Sequence, residues 1–153
     1  MSFRHIAVAS DFSEGADAAF SLGRDLARQH GARLSVVHVI PPLITPSPLL
    51  DDLVVGELDL RLRENLSDNA DKEIARRYLA QAEGLMAQAV VLEGDPTNEL
   101  MDWVAQQGVD LLVVGSTGLS GLAEVFFGSV AARAVRRAPC SVLVARRRQP
   151  AAP

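Results

Sequence analysis

Hydrophobic and polar positions along the chain follow two kinds of pattern, one typical of buried strands and one typical of helices. Five short apolar runs, rich in valine, each end in residues that favour turns or loops. The first and fourth runs are almost continuously apolar, as expected for strands that are covered on both faces. The predicted strands are His5 to Ser10, Arg33 to Ile40, Met86 to Gly94, Val109 to Gly115 and Cys140 to Ala145.

The first and third segments between these strands carry clear helix signals. Ser13 is the predicted N-cap of the first helix, and Gly31 ends it. In the third segment Asp95 is the predicted N-cap, Pro96 fits the first turn and Gly108 closes the helix. The residues predicted to face the core are Ala16, Ala19, Phe20, Gly23, Leu26 and Ala27 in the first helix, and Leu100 and Val104 in the third.

The second and fourth helices are predicted from other patterns. The segment Pro41 to Glu57 contains four prolines and is predicted to be a loop, either packed on the surface or forming a flap over a ligand pocket. A polar helix follows, with apolar residues at every fourth position, namely Leu58, Leu62, Leu66 and Ala70. The fourth helix is predicted to start at Gly128-Ser129 and to end before Pro139. Its predicted inward-facing residues are Val130, Ala134 and Val135.

The order βαβαβαβαβ predicts an α/β fold, a doubly wound five-stranded parallel sheet with helices on both faces. If the first strand begins one half of the sheet and the fourth strand begins the other, the strand order is 3-2-1-4-5. Ligands bind such sheets beyond the carboxyl ends of the strands, where the order reverses. We therefore expect Asp11, after the first strand, to face the glycine-rich loop that begins at Gly115.

Composition narrows the possible functions. The chain has 153 residues, 48% of them hydrophobic, and a formal net charge of −4, which favours one domain and argues against a nucleic-acid partner. Cys140 is the only cysteine, so an internal disulfide and a Cys-rich zinc site are excluded. Lys72 is the only lysine and follows no glycine, which excludes a Walker A loop. Without a signal-peptide pattern or a run of about 18 apolar residues, we expect a cytoplasmic protein with no membrane partner.

The glycine-rich stretch GSTGLSGLAEVFFGS, from Gly115 to Ser129, predicts an anion site. Glycine lacks a Cβ, so main-chain amides near it can approach a ligand closely. The start of a helix adds unpaired amides and a partial positive charge, and phosphate is the commonest anion bound there. We expect Gly128 to let a phosphate approach, and the hydroxyl and amide of Ser129 and the amide of Val130 to bind it.

This stretch resembles the nucleotide signature of ATP-binding universal stress proteins, which reads G-x-x-G, nine residues, then G-[ST]. Here the pattern is Gly115, Gly118 and the pair Gly128-Ser129. The blocks IAVASDFS, VVHVI, EGDP and SVAARAVRRAPCSVLVA also resemble family blocks in family order. On this basis residues 1–146 are identified as a single universal stress protein domain, with 147–153 as a short tail. The resemblance implies a fold like that of the adenine-nucleotide alpha hydrolases.

The resemblance also implies an ATP pocket and assigns its residues. Asp11 matches the family acid that contacts the nucleoside, and Val39 matches the residue whose backbone meets the adenine edge. An alternative from the residues alone is that Asp11 only caps the first helix or forms a turn. Many family members have proline at the position of Ala9, so the resemblance implies a looser turn before Asp11 here. Many have a basic residue or histidine at the position of Thr117, and its loss removes a phosphate contact and bears on affinity rather than on the identity of the site. The implied nucleotide-binding residues are Ala9, Ser10, Asp11, Val39, Gly115, Ser116, Gly118, Gly128, Ser129 and Val130.

The functional hypothesis is a nucleotide-dependent regulator in the stress response, with ATP as ligand and Mg²⁺ or Mn²⁺ as its companion ion. We predict no catalytic residues, because Gly115 to Ala132 contains no lysine or arginine to stabilise a transferring phosphoryl group. The alternatives are a slow ATPase or nucleotidyl-transfer enzyme, and a partner-binding adaptor with a vestigial pocket. The final strand is apolar and lies at a sheet edge, and the resemblance implies a homodimer through Ser141 to Ala145.

Overall fold

Five parallel strands form one sheet in the order β3-β2-β1-β4-β5, which confirms the predicted order. The computed structural model describes residues 2–42, 52–117 and 128–147, without the side chains of 52–55. Each strand lies within its predicted run, and four of the five are shorter than predicted by one or two residues at an end. The strands are β1 (His5–Ala9), β2 (Arg33–Ile40), β3 (Ala87–Glu93), β4 (Leu111–Gly115) and β5 (Ser141–Ala145).

The helices lie on both faces of this sheet, as the alternating pattern predicted. Side chains of β1 point alternately to the two faces, so Ile6 and Val8 join one core while Ala7 joins the other. The first core also contains Phe20 and Ile74 from the helices on that face, and Tyr78, which directly follows the second of these helices. Both cores are closed to solvent, which explains why the sequence of β1 is apolar at every position after His5. The helices are α1 (Glu14–His30), α2 (Asp52–Arg77), α3 (Pro96–Gln106) and α4 (Ser129–Arg137), with a short 3₁₀ turn at Leu79–Gln81.

The predicted ends of α1 and α3 are confirmed. The Ser13 hydroxyl accepts a hydrogen bond from the Ala16 amide at 3.2 Å, and Gly31 ends α1 in the left-handed conformation with φ 63°. The Asp95 carboxylate accepts from the Asn98 amide at 2.9 Å. Of the predicted inward residues in these two helices, all are buried except Leu26, which is half-buried; they are Ala16, Ala19, Phe20, Gly23, Ala27, Leu100 and Val104.

The predicted loop from Pro41 to Glu57 is wrong over its last residues. Helix α2 begins at Asp52, because the prolines stop at Pro48 and the sequence after them contains no helix breaker other than one glycine. Residues 43–51 lie outside the described part of the chain. The first three members of the four-residue repeat are exposed, and α2 reaches the core through its C-terminal half, at Ala70 and Ile74.

The prediction that Val135 faces the core is also wrong, because its side chain is 58% exposed. Ala131 and Ala134 form the inward face of α4 instead. A helix turns 100° per residue, so Val130 and Val135 lie about 70° to either side of that face. Val130, on one flank, is half-buried, and Val135, on the other, meets solvent. Among the described residues, none of the helices combines the length and the apolar character needed to cross a bilayer.

Candidate functional site

A cleft of about 350 Å³ opens at the carboxyl edge of the sheet, beyond the neighbouring strands β1 and β4. The strand order reverses here, so the cleft occupies the position at which doubly wound sheets bind ligands. Most of the predicted site residues come together in its walls. They are Ala9, Ser10, Asp11, Val39, Gly115, Gly128, Ser129 and Val130.

Two predicted site residues are not found in the described walls. Ser116 lies beside the cleft, where its amide donates to the Ala145 carbonyl and its carbonyl accepts from the Gly128 amide, each at 2.9 Å. These two bonds join the end of β4 to β5 and to the start of α4, so Ser116 positions the helix that follows. Gly118 lies outside the described residues.

The turn after β1 brings Asp11 to the cleft. The Ser10 amide donates to the Val37 carbonyl at 2.8 Å, which continues the pairing with β2 for one residue. Asp11 Oδ1 then accepts from the Ser13 amide at 3.0 Å and closes a side-chain turn. The turn role that was the alternative for Asp11 is therefore present, and the same residue also lines the cleft.

Phe12, the next residue, has a left-handed backbone with φ 62°, and it is the only described residue other than glycine with positive φ. Such a conformation costs about 1–3 kcal/mol and persists only where the surroundings enforce it. The Phe12 ring lies 4.6 Å from the His38 ring and 6.3 Å from the Tyr78 ring, measured between centroids. This packing, with the hydrogen bonds of the turn, holds the backbone in the shape that presents Asp11.

One wall of the cleft was not predicted from the sequence. Pro96 and Leu100, in the first turns of α3, line it together with Val37 and Ala131. Leu100 was predicted only as a core residue. The available signal was topological, because α3 follows β3 directly and its first turns must lie at the carboxyl edge of the sheet.

His38 also lines the cleft, although the sequence analysis did not assign it to the site. Its Nδ1 lies 2.8 Å from the Ser10 carbonyl oxygen. A carbonyl can only accept a hydrogen bond, so Nδ1 carries a proton. The ring therefore ties β2 to the turn that contains Asp11.

Helix α4 begins differently from α1 and α3. Ser13 and Asp95 cap those two helices with side-chain oxygens, whereas the N-cap of α4 is Gly128, which has no side chain. Helical geometry provides no carbonyl partner for the first amides of α4, at Ser129 and Val130. Both residues lie in the cleft wall, so this end of the cleft presents main-chain donors and the positive end of a helix dipole.

The cleft carries little side-chain charge. In the described walls Asp11 is the only carboxylate, and no lysine or arginine is present. The described ranges contain no group of three or more histidine, cysteine, aspartate or glutamate residues placed to hold a metal ion. The surroundings are therefore mostly apolar, with one acid at one side and helix amides at the other.

Comparison with known proteins gives the family. The model of the universal stress protein family matches residues 2–146, so the chain belongs to this family. A universal stress protein of Thermus aquaticus, encoded in the QAH/OAS sulfhydrylase 3′ region, is 32% identical, and the match covers 94% of this chain and 99% of the relative. Universal stress protein YxiE of Bacillus subtilis is 29% identical with the same two coverages.

Solved structures confirm the fold. Universal stress protein UspA from Lactobacillus plantarum superposes with a TM-score of 0.75 at 27% identity, over 95% of this chain and 99% of that one. The protein MJ0577 superposes with a TM-score of 0.82 at 24% identity, over 98% of this chain and the whole of that one. A family member from Arabidopsis thaliana, with a TM-score of 0.62 and 22% identity over 98% of this chain and 96% of its own, was solved with AMP bound.

Proposed function

We propose that this chain is an ATP-binding regulatory protein of the stress response that acts in the cytoplasm. Nucleotide occupancy changes its conformation, its dimer stability or its affinity for a protein partner. The volume of the cleft, about 350 Å³, falls within the range of small-molecule sites, about 300–1,000 Å³. The AMP complex of the Arabidopsis relative supports an adenine nucleotide as the class of ligand.

The observation that carries the proposal is the uncapped start of α4 at the wall of the cleft. Two other helices satisfy their first amides with their own side chains, at Ser13 and Asp95, and α4 does not. Unpaired amides and a helix dipole together favour a phosphate. In the proposed complex the Ser129 and Val130 amides and the Ser129 hydroxyl bind the phosphates.

The proposed nucleoside position lies between the apolar walls and the turn after β1. Asp11 accepts hydrogen bonds from the sugar hydroxyls, and the backbone of Val39 meets the adenine edge. Ala9 and Leu100 provide apolar surface for the ring. The cleft walls provide one carboxylate, so Mg²⁺ or Mn²⁺ in the complex binds chiefly to phosphate oxygens, as Mg²⁺ commonly does.

A binding role fits the cleft better than fast phosphoryl transfer. Enzymes of that class place positive charge at the transferring group, and the described walls contain no lysine or arginine. Arg133, one turn into α4, is exposed and is not part of those walls. We expect turnover with Mg²⁺ or Mn²⁺ below about 1 per second, and a faster rate would favour the ATPase or nucleotidyl-transfer alternative.

Isothermal titration calorimetry with ATP tests the proposal directly. We expect saturable binding of one ATP per chain, and weaker binding of adenosine because it lacks the phosphates that the start of α4 would hold. If binding does not saturate up to about 1 mM ATP, the proposal is contradicted. The binding free energy would then be weaker than about −4 kcal/mol. In that case the vestigial pocket of an adaptor protein becomes the better account.

The variant Asp11→Asn sharpens the test. It keeps an oxygen for the Ser13 amide, which Asp11 Oδ1 binds at 3.0 Å, and removes the charge. A charged acceptor stabilises a hydrogen bond by about 1 kcal/mol more than a neutral one, so ATP affinity should fall about fivefold. Asp25→Asn is the matched control, since Asp25 pairs with Arg24 on an exposed part of α1, roughly 20 Å further along the helix.

A further inference from the structure

A chain of hydrogen bonds runs from the turn beside the cleft to the outer surface of α1 and α2. The Phe12 amide donates to Ser10 Oγ at 3.1 Å, and Ser10 Oγ donates to the Tyr78 hydroxyl at 3.0 Å. The Tyr78 hydroxyl donates to Asp17 Oδ1 at 2.9 Å. Arg77 completes the chain by binding both oxygens of Asp17, at 2.9 Å and 2.6 Å.

The direction of every bond in this chain is fixed from its outer end. The Arg77 guanidinium only donates and the Asp17 carboxylate only accepts, so the Tyr78 hydroxyl gives its proton to Asp17. The same hydroxyl must then accept from Ser10, and Ser10 Oγ can accept from the Phe12 amide. Burial raises the pKa of Tyr78 to about 12, so the hydroxyl keeps the proton that the chain requires.

The inner end of the chain acts on a strained part of the cleft. Phe12 has a φ of 62°, a backbone conformation that needs support from outside the residue. Its amide is held by Ser10 Oγ, whose own orientation depends on Tyr78. Ser10 and Tyr78 are 7% and 1% exposed, so water does not replace a lost partner at low cost.

We propose that Tyr78 and Asp17 are positioning residues of the nucleotide site, acting through Ser10 on the turn that presents Asp11. This inference rests on the proposed function. Tyr78 lies on the opposite face of the sheet from α3 and α4, which form the other walls of the cleft. Among the described residues, it reaches the cleft through the Ser10 hydroxyl and through the stacking of its ring on Phe12.

The variant Tyr78→Phe separates the hydroxyl from the ring. The ring keeps its contacts with Phe12 and with Phe20, whose centroid lies 4.7 Å away. Asp17 stays paired with Arg77, while the Ser10 hydroxyl loses its acceptor inside the protein. We expect the Phe12 amide to exchange with solvent faster and ATP affinity to fall about fivefold.

Ser35→Ala is the matched control for a general loss of stability. Ser35 is fully buried, and its hydroxyl is hydrogen-bonded to His5 and Gln88 at the amino-terminal part of β2, away from the cleft. Both variants should lower the melting temperature by about 5 °C. Only Tyr78→Phe should change ATP affinity and the hydrogen exchange of the Phe12 amide measured by NMR in the ligand-free protein.

A double-mutant cycle with Asp11→Asn tests whether Tyr78 acts through the turn. We expect the double variant to bind ATP about as weakly as Asp11→Asn alone, because both changes affect the same contact. Independent effects that multiply to about 25-fold would overturn the inference, as would unchanged Phe12 exchange in Tyr78→Phe. If wild-type protein binds no ATP while Phe12 exchange responds as expected, the proposed function fails and the role of Tyr78 at the turn stands.

Discussion

The backbones of Gly15 and Gly115 are in direct contact. A Cβ on Gly115 would lie 2.6 Å from the carbonyl carbon and oxygen of Gly15, and a Cβ on Gly15 would overlap the Thr117 carbonyl oxygen. The first turn of α1 therefore packs against the end of β4 with no side chain between them. Glycine in this loop was predicted to allow a ligand to approach the main chain, whereas at Gly115 the space is taken by α1.

The first prediction is that Gly115→Ala destabilises the fold. The added methyl would overlap backbone atoms that cannot move independently, and overpacking of this kind costs about 1–3 kcal/mol. Urea unfolding measures the change. Gly56→Ala is the control, because Gly56 lies within α2 and none of the described atoms would contact an added Cβ there. Alanine at this position should raise stability by about 0.5–1 kcal/mol. Wild-type stability in Gly115→Ala would show that α1 can withdraw from β4.

The second prediction concerns the phosphate end of the proposed site. Ser129→Ala removes an exposed hydroxyl at the first position of α4 and keeps the main-chain amides. ATP affinity should fall by about tenfold or more, the effect of one hydrogen bond to a charged group, while adenosine affinity stays the same. Calorimetry with both ligands measures the difference. Ser21→Ala, on the exposed side of α1, should leave both affinities unchanged. An equal loss for ATP and adenosine would contradict this role for Ser129.

The third prediction concerns acid stability and depends on His5, which is buried. His5 Nδ1 faces two groups, the Arg33 guanidinium at 2.8 Å, which can only donate, and the Gln107 carbonyl oxygen at 3.3 Å, which can only accept. We assign Nδ1 as unprotonated and the ring as neutral, because the contact with Arg33 is the shorter one. His5 Nε2 then donates to Ser35 Oγ at 2.8 Å. Burial, aided by the Arg33 charge, lowers the pKa of His5 against the opposing effects of the Gln107 carbonyl and Asp110.

The sign of the pH dependence follows from that lowered pKa. As the pH falls below about 6.5, the unfolded chain binds a proton at His5 and the native protein does not, so stability decreases. The slope contributed by this residue is at most about 1.4 kcal/mol per pH unit, and it ends once the pH falls below the native pKa. His5→Gln should lessen the slope of unfolding free energy between pH 6.5 and 5, measured by urea titration. An unchanged slope would show that His5 does not titrate on unfolding.

The fourth prediction concerns assembly. β5 is the last strand in the sheet order, so one of its edges has no strand partner among the residues that the structure describes. We propose a homodimer through the antiparallel pairing of Ser141–Ala145 with the same strand of a second copy. Light scattering at micromolar concentration should give the mass of a dimer, and amides of β5 should exchange more slowly as concentration rises. A monomer with concentration-independent exchange would contradict the pairing.

Local signals in the sequence were sufficient for most of the fold. Ser13, Gly31 and Asp95 act at helix ends through contacts with near neighbours, so their roles are readable from the pattern around them. The strand order followed from the alternation of strands and helices and from the placement of β1 beside β4. The exposure of Leu58 could not be predicted from the sequence, because it depends on how far α2 extends past the sheet.

The supporting contacts of the site were beyond what the sequence could predict. Ser10 and Tyr78 are separated by 68 positions, and their hydrogen bond depends on where α2 ends relative to β1. Neither residue belongs to a motif that marks such a bond. The contact between the backbones of Gly15 and Gly115 could not be predicted from the sequence either, since it depends on the distance between a helix and a strand. Motifs located the cleft, and three-dimensional packing determines how its residues are held.

The lack of a side-chain cap at the N-terminus of α4 affects how stable this part of the fold is on its own. With nine residues, α4 is shorter than the roughly 12–15 at which an isolated helix becomes even marginally stable in water. A polyphosphate bound there would supply the cap that Gly128 cannot, and would complete a piece of secondary structure. Cellular nucleotide levels would then govern how long the carboxyl-terminal helix and its adjoining edge strand stay intact.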